Sequence, residues 1–307
     1  MKNKHTNTKE LIDFYYDSLV YKHLSTNTKR DYKYCIDAIL HNMIDNKVYP
    51  HLSMKHFDTP KAQGIYNSLA KRGIPFANHC KAVMSKLFNF GIQNGYVNTN
   101  PFSGVVQLNH RPRKEIQSKE DIYKFIHTAY SEFKWRNIGV IVHMAYTWGQ
   151  RLGDMRTLQF KNYDFDNQVL TLEQSKRRAK VYLPTTDELH KVLLQQEKDF
   201  DLRDHGLVYS EGYIAPKITY KTGICNVPYD KITFGNKVRE IRKTAGLPNF
   251  KAMDMRRTAT TEMVDAGVPL PQIMSVTGHA NAQSLTPYLK NTLTSATEAL
   301  SKRNLGG

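Results

Sequence analysis

Cysteine is scarce in this chain. Among 307 residues there are three, Cys35, Cys80 and Cys225, far apart and with no Cys-x-x-Cys pair. That spacing rules out a disulfide scaffold and a zinc site built from paired cysteines, and it fits a reducing, cytoplasmic setting. Long apolar runs are missing too. The longest, Ile138 to Trp148, contains His143 and is too short to span a bilayer, so no membrane partner is expected. The opening Met1-Lys-Asn-Lys-His5 leads into no apolar stretch, so a secretory signal is not expected. Internal repeats and low-complexity tracts are also absent.

Acidic residues are outnumbered. Lys and Arg total 44 against 28 Asp and Glu, a net charge of +16. Such an excess points to a polyanionic partner, most often nucleic acid. It is spread along the chain, with 14 basic and 7 acidic residues in 1–110, and 30 and 21 in the remainder. A protein gripping DNA between two domains carries charge this way; one with a single basic tail does not. Hydrophobic residues make up 40% and charged residues 23%, an ordinary globular composition, and the length suits two domains.

Residues 1–107 read as a helical domain. Leu11, Phe14, Tyr15 and Leu19 share one face, and Tyr32, Ile36, Ile39, Leu40 and Met43 share another. Thr59 as N-cap, Pro60 in the first turn and Gly73 frame a third helix. Cys80, Val83, Leu87 and Phe90 mark a fourth, ending at Gly95. The polar, basic segment 108–117 is expected to be a linker, and 118–307 a second domain. There Ser118 and Asp121 resemble a capping box ahead of Ile122, Phe125, Ile126 and Ala129. Ile138–Trp148 is expected to be a buried helix. Leu170 and Leu172, then Val181 and Leu183, alternate with polar residues after an Asp166-Asn167 turn, which predicts a short antiparallel sheet. Thr185 and Glu188 open a helix through Leu189, Val192 and Leu193. Glycines and prolines break 200–230 into loops or short strands, and helices return from Lys231 to Gly246 and from Asp254 to Gly267. The fold class is thus mainly α with a small antiparallel β-sheet.

Four features of the second domain carry chemistry. They are Gly149-Gln-Arg151 with Asp154, Lys176 in the turn between the two strands, Arg256-Arg257 at a helix start, and Gly278-His279 with Tyr288 nine residues on. Each alone has an ordinary explanation. An arginine at a helix end complements the dipole, a lysine in a turn is a solvated tip, and Tyr288 is one of 18 tyrosines. Two arginines opening a helix are unusual, because cations oppose the dipole there, and they hint at a nearby anion.

Taken in order and at these spacings, the features resemble the tyrosine recombinase (phage integrase) family. The family pattern is Gly-x-Arg with an acidic residue three positions on, a hairpin lysine, His-x-x-Arg, then Gly-His and a tyrosine. Pro184, eight residues after Lys176, also matches the hairpin. Gly95-Tyr-Val-Asn-Thr-Asn100-Pro101 is similar to the close of the family's helical core-binding domain. One position departs: Met253 stands where the family has the histidine of His-x-x-Arg, and a thioether donates no proton.

The resemblance implies a core-binding helical domain followed by a mixed α/β catalytic domain. It implies cleavage and rejoining of duplex DNA through a covalent 3′-phosphotyrosine, with Tyr288 as nucleophile. Arg151 and Arg256 would hold the phosphate, Lys176 would protonate the leaving 5′-oxygen, His279 would assist and Asp154 would orient its neighbours. Guanidinium groups grip phosphate bidentately and stay charged. A reversible phosphotyrosine conserves bond energy, so neither metal nor cofactor is expected. The resemblance further implies a tetramer on two DNA sites, with a tail helix at Leu293, Ala296, Ala299 and Leu300 docking on a neighbour or packing in cis. It also admits accessory DNA-bending proteins and a phage or mobile-element role in a bacterial cytoplasm. Two other readings stay open, a type IB topoisomerase and a DNA-binding module weakened at Met253.

Overall fold

Pro75 just inside its start and Gly95 just past its end frame a 20-residue helix, Ile74–Gln93, on which the first part of the molecule is built. The computed structural model describes residues 7–40, 57–110, 115–176, 178–198, 212–219, 223–225 and 227–288, with 297, 300, 301 and 303. The chain divides into two units, Met1–Arg113 and Lys114–Gly307.

In the first unit, α1 (Thr8–Asp17), α2 (Leu19–Lys22), α3 (Thr26–Leu40) and α4 (Thr59–Ala70) join α5 (Ile74–Gln93) around a core that includes Leu11, Ile36, Ile65, Leu87 and Phe88. Local caps shift two expectations. The Ser18 hydroxyl accepts from the Tyr21 N–H and starts a new helix, so Leu19 leaves the Leu11 face and is 72% exposed. Asp58, not Thr59, caps α4, accepting from the Lys61 N–H at 2.9 Å. Met43 lies outside the described residues. Asn100 closes the unit: its amide donates to the Ser85 carbonyl (3.1 Å) and to Asn89 (2.8 Å), and its oxygen accepts from the Phe102 N–H.

Cys35 on α3 and Cys80 on α5 are both free and wholly buried in this core. Helix packing brings them together, which the absence of a Cys-x-x-Cys pair does not reveal. The Cys80 thiol donates to Cys35, and this hydrogen bond holds the Cys35 thiol below its ordinary range and Cys80 above it.

The segment expected as a linker is anchored at both ends. The Leu108 N–H donates to the Tyr66 hydroxyl (2.7 Å), and the Leu108 carbonyl accepts from Asn78. Gln117 is buried in the second unit, where its N–H donates to the Thr258 hydroxyl. Residues 111–114 lie outside the described residues.

The second unit is mainly helical. It holds α6 (Lys119–Tyr130), α7 (Phe133–Thr147), α8 (Leu152–Arg156), α9 (Asp187–Lys198), α10 (Lys231–Thr244), α11 (Met255–Asp265) and α12 (Leu270–Thr277). An antiparallel sheet runs in the order β1 (Tyr163–Asp164), β2 (Val169–Glu173), β3 (Lys180–Pro184). Leu170 pairs with Leu183 and Leu172 with Val181, so the four predicted apolar residues share the buried face. A two-stranded ribbon, β4 (Lys217–Thr219) and β5 (Gly223–Cys225), lies within the stretch where loops or short strands were expected. α7 is apolar on nearly every side and is buried from Ile138 to Tyr146.

Three details escape the sequence pattern. β1 is two residues long, too short to alternate. Thr186 rather than Thr185 caps α9; Thr185 instead accepts from the Trp148 indole. α12 occupies a stretch where no helix was expected, between Gly267 and Gly278. Of the tail, Leu293, Ala296 and Ala299 lie outside the described residues, and Leu300 is 55% exposed. No helix among the described residues is long and apolar enough to cross a membrane.

α6 and α7 approach closely at Gly139. A Cβ added there would stand 2.8 Å from Ala129 Cβ and 2.8 Å from Tyr130 Cε1. Gly139→Ala should therefore cost about 1–3 kcal/mol, as overpacking of a close-packed core does. Gly235 on α10 meets nothing within 4 Å, and Gly235→Ala should gain about 0.5–1 kcal/mol from helix propensity. Urea unfolding of both variants checks the contrast; equal stabilities would mean that the helix pair has slack.

Candidate active site

Two buried glutamines, neither singled out by the sequence pattern, organise the site. Gln174 follows β2 in phase with Leu170 and Leu172, so its amide points inward, and it is fully buried. Its nitrogen donates to Gln150 Oε1 (2.7 Å) and to the Thr277 carbonyl (2.9 Å). Its oxygen accepts from Arg151 Nη1 at 2.8 Å. Gln150, also fully buried, donates to the carbonyls of Trp148 (2.8 Å) and Val276 (2.7 Å). The two amides thus tie the end of α7, the hairpin and the end of α12 to one another. The signal for Gln174 was a polar residue on the inward phase of an alternating strand.

Gly278 makes this approach possible. It holds φ +65°, the left-handed end of α12, and a Cβ there would lie 2.7 Å from the Gln174 amide. The glycine of the Gly-His pair therefore answers both a backbone and a steric demand.

Arg151 precedes α8 and is partly exposed. Asp154, 2% exposed, has one oxygen 4.0 Å from Arg151 Nη1. Its other oxygen accepts from the Ser175 N–H (3.2 Å) and hydroxyl (2.5 Å). The carboxylate thereby anchors the hairpin tip beside the arginine, and Lys176 stands exposed on that tip.

Arg256 opens α11 and reaches the far end of α12. Its Nη2 donates to the Thr277 carbonyl (2.5 Å), and its Nη1 lies 3.4 Å from the Gly149 carbonyl and 3.5 Å from Gln150 Oε1. A cation at a helix N-terminus is disfavoured, but the group that bears the charge sits at a helix C-terminus, where orphan carbonyls and the dipole favour it. The same Nη2 is 3.5 Å from His279 Nε2. The Thr277 hydroxyl donates to the Ile273 carbonyl (2.7 Å), so its oxygen accepts from His279 Nδ1 at 2.7 Å. That pairing fixes the proton on Nδ1 and turns Nε2 toward Arg256. The His279 and Tyr288 rings are 6.1 Å apart, Tyr288 ending a 3₁₀ turn, Ala282–Tyr288.

Arg151, Asp154, Arg256, His279 and Tyr288 therefore belong to one connected cluster, with the Lys176 hairpin tied to it through Ser175. Met253 does not join it. It sits on a 3₁₀ turn, Ala252–Asp254, and is 74% exposed, while Asp254 turns inward and accepts from Gln117. A separate groove, lined by Tyr123, Tyr146, Glu188, Glu262 and Val276, carries two carboxylates. Burial and then Glu262 push the Tyr146 phenol well above its ordinary range. That groove does not suit a phosphate, and the arginine cluster does.

The chain belongs to the phage integrase family, whose model matches residues 113–294. A protein named tyrosine recombinase XerC-like, from Caldanaerobacter subterraneus subsp. tengcongensis, is 21% identical over 298 residues, covering 84% of this chain and 74% of that one. The fold is similar to that of the Tn1549 transposon integrase in complex with a circular intermediate DNA, at TM-score 0.74 and 17% identity, covering 96% of this chain and 99% of that one. It is also similar to a lambda integrase tetramer bound to a Holliday junction, at TM-score 0.73 and 16% identity, covering 94% and 79%.

Gln174→Ala should cost about 1–3 kcal/mol in urea unfolding, because it strips a partner from Gln150, Arg151 and the Thr277 carbonyl. A variant as stable as the parent would mean that the glutamine pair is not what joins these segments.

Proposed function

We propose that this protein is a site-specific DNA recombinase that cleaves and rejoins duplex DNA through a covalent 3′-phosphotyrosine, in the service of a phage or another mobile element. The observation that carries this reading is the joining of Arg151, Arg256, His279 and Tyr288 around one pair of buried neutral amides. Contacts with neutral amides and carbonyls position the guanidinium groups without cancelling their charge.

Attack by the Tyr288 oxygen on a phosphodiester forms a P–O bond to tyrosine and releases a 5′-hydroxyl. Negative charge on the non-bridging oxygens rises along the way, and Arg151 and Arg256 stabilise it. Lys176, on its exposed tip, supplies the proton to the departing 5′-oxygen. His279, its Nδ1–H held by Thr277, offers the Nε2 lone pair to the Tyr288 proton. Asp154 keeps the Lys176 tip beside Arg151. The reverse attack by a 5′-hydroxyl restores the phosphodiester and frees the tyrosine, with no net change in bond energy. Proton transfer falls to Lys176 and His279, since Met253 has no proton to give.

Duplex DNA as substrate accords with the net charge of +16 and with the DNA-bound lambda and Tn1549 integrases. A tetramer on two sites accords with the lambda integrase tetramer on a Holliday junction.

On a nicked suicide duplex, Tyr288→Phe should abolish the covalent protein–DNA adduct and leave binding nearly unchanged. Arg151→Ala and Arg256→Ala should each slow single-turnover cleavage by about 10²–10³-fold, the effect of removing one preorganised donor. Adduct formation by Tyr288→Phe, or cleavage within about tenfold of the parent in both arginine variants, would sink the assignment.

Duplex binding should also weaken steeply with salt. Each phosphate contact contributes about −0.9 to the log–log slope, and roughly six or more contacts are expected from charge on both units. A flat fluorescence-anisotropy profile across salt would remove nucleic acid as the main partner.

A further inference from the structure

Three groups with metal-binding atoms converge in the first unit, and the recombinase reading gives them no task. Asp31 and Cys35 lie one turn apart on α3, and His79 lies on α5. A carboxylate oxygen of Asp31, the sulfur of Cys35 and a ring nitrogen of His79 all lie within 4.8 Å of one another. His79 Nε2 is 2.6 Å from Asp31 Oδ2. Asp31 and His79 are about half exposed, whereas Cys35 is wholly buried. The cluster is thus closed by the core on its sulfur side and open to water on the other.

We propose that Cys35, His79 and Asp31 bind one zinc-type divalent cation, with water as the fourth ligand, and that the ion fastens α3 to α5. The donor set selects the metal. One thiolate, one imidazole and one carboxylate suit zinc, while magnesium and calcium take oxygen ligands. Residues at i and i+4 present both α3 ligands on one helix face. Zinc at about 2.3 Å from sulfur and about 2.0 Å from nitrogen and oxygen sets tetrahedral ligand atoms roughly 3.3–3.6 Å apart. Rotation of the two exposed side chains widens the 2.6 Å contact between His79 and Asp31 and brings both toward the Cys35 sulfur. On binding, the ion takes the place of the hydrogen bond between His79 and Asp31, and the Cys35 thiol releases its proton to water. Cys80, the next residue after His79, is hydrogen-bonded to Cys35, and once Cys35 is a thiolate the Cys80 S–H can donate to it.

The test uses the full chain, reduced and stripped of metal, titrated with cobalt(II). One cobalt per chain should bind with a thiolate-to-metal charge-transfer absorption, and one equivalent of zinc should displace it. Zinc should also raise the melting temperature of the parent. Cys35→Ser should lose the absorption, and Cys225→Ser should keep it. Because Cys35 is buried, circular dichroism of that variant is recorded alongside. His79→Ala, at an exposed position, gives an independent reading: cobalt affinity should fall by about tenfold or more and the zinc-dependent rise in melting temperature should vanish. No charge-transfer absorption in the parent, absorption that follows Cys225 instead of Cys35, or an unchanged affinity in His79→Ala would each overturn the proposal.

Discussion

The Gln174 amide, holding Arg151 with its oxygen and Gln150 and Thr277 with its nitrogen, is the interaction on which the site rests. Its chemistry matters as much as its geometry. A carboxylate in that place would hold an arginine more strongly, but it would also neutralise the charge. A buried amide orients the guanidinium and leaves its charge for an anion. Asp154 meets the same constraint differently. It lies 4.0 Å from Arg151, yet it gives its other oxygen to Ser175. The carboxylate therefore serves mainly to anchor the hairpin tip.

The same logic explains how the charge at the start of α11 is placed. Arg256 starts that helix, at the end where its own dipole is unfavourable. It escapes the penalty by reaching to the last carbonyl of α12. Gln150 and Gln174 take the carbonyls of Val276 and Thr277, so three side chains share the unpaired end of one short helix. Gly278 ends α12 in the left-handed conformation and leaves room for the Gln174 amide. The helix end is satisfied by side chains from other segments, and those side chains are thereby brought to one point.

What could be read from the sequence was what depends on chain order. Arg151, Asp154, Lys176, Arg256, His279 and Tyr288 stand at spacings that survive any detail of packing, the apolar run of α7 is visible as a run, and the apolar phases of β2 and β3 are visible as periods. What depends on a near-tie or a tertiary approach was not legible. Asp58 and Thr59 are both good caps, and only the Lys61 N–H decides between them. Leu19 continues the apolar phase of α1, but Ser18 restarts the helix and turns it to solvent. Cys35 and Cys80 meet because α3 packs on α5, an event no cysteine spacing encodes. Gln150 lies beside Arg151 and belongs to no periodic pattern. Gln174 did leave a trace, as the third member of an inward phase whose first two members are leucines.

Met253 shows how little a departure at one motif position says before the backbone is known. The turn Ala252–Asp254 sends the methionine outward and the aspartate inward, where Gln117 meets it. A residue that faces solvent on that turn contributes little packing. Its thioether also offers nothing to Arg256, whose contacts run to Thr277 and Gly149. On the proposed mechanism the proton work contracts to two groups held in opposite ways. Lys176 sits on an exposed tip that is anchored only at its base. His279 is fixed at Nδ1 by a hydroxyl whose own proton is committed to Ile273. One group is placed to reach a leaving oxygen that moves, and the other to present a single accepting nitrogen to the Tyr288 hydroxyl.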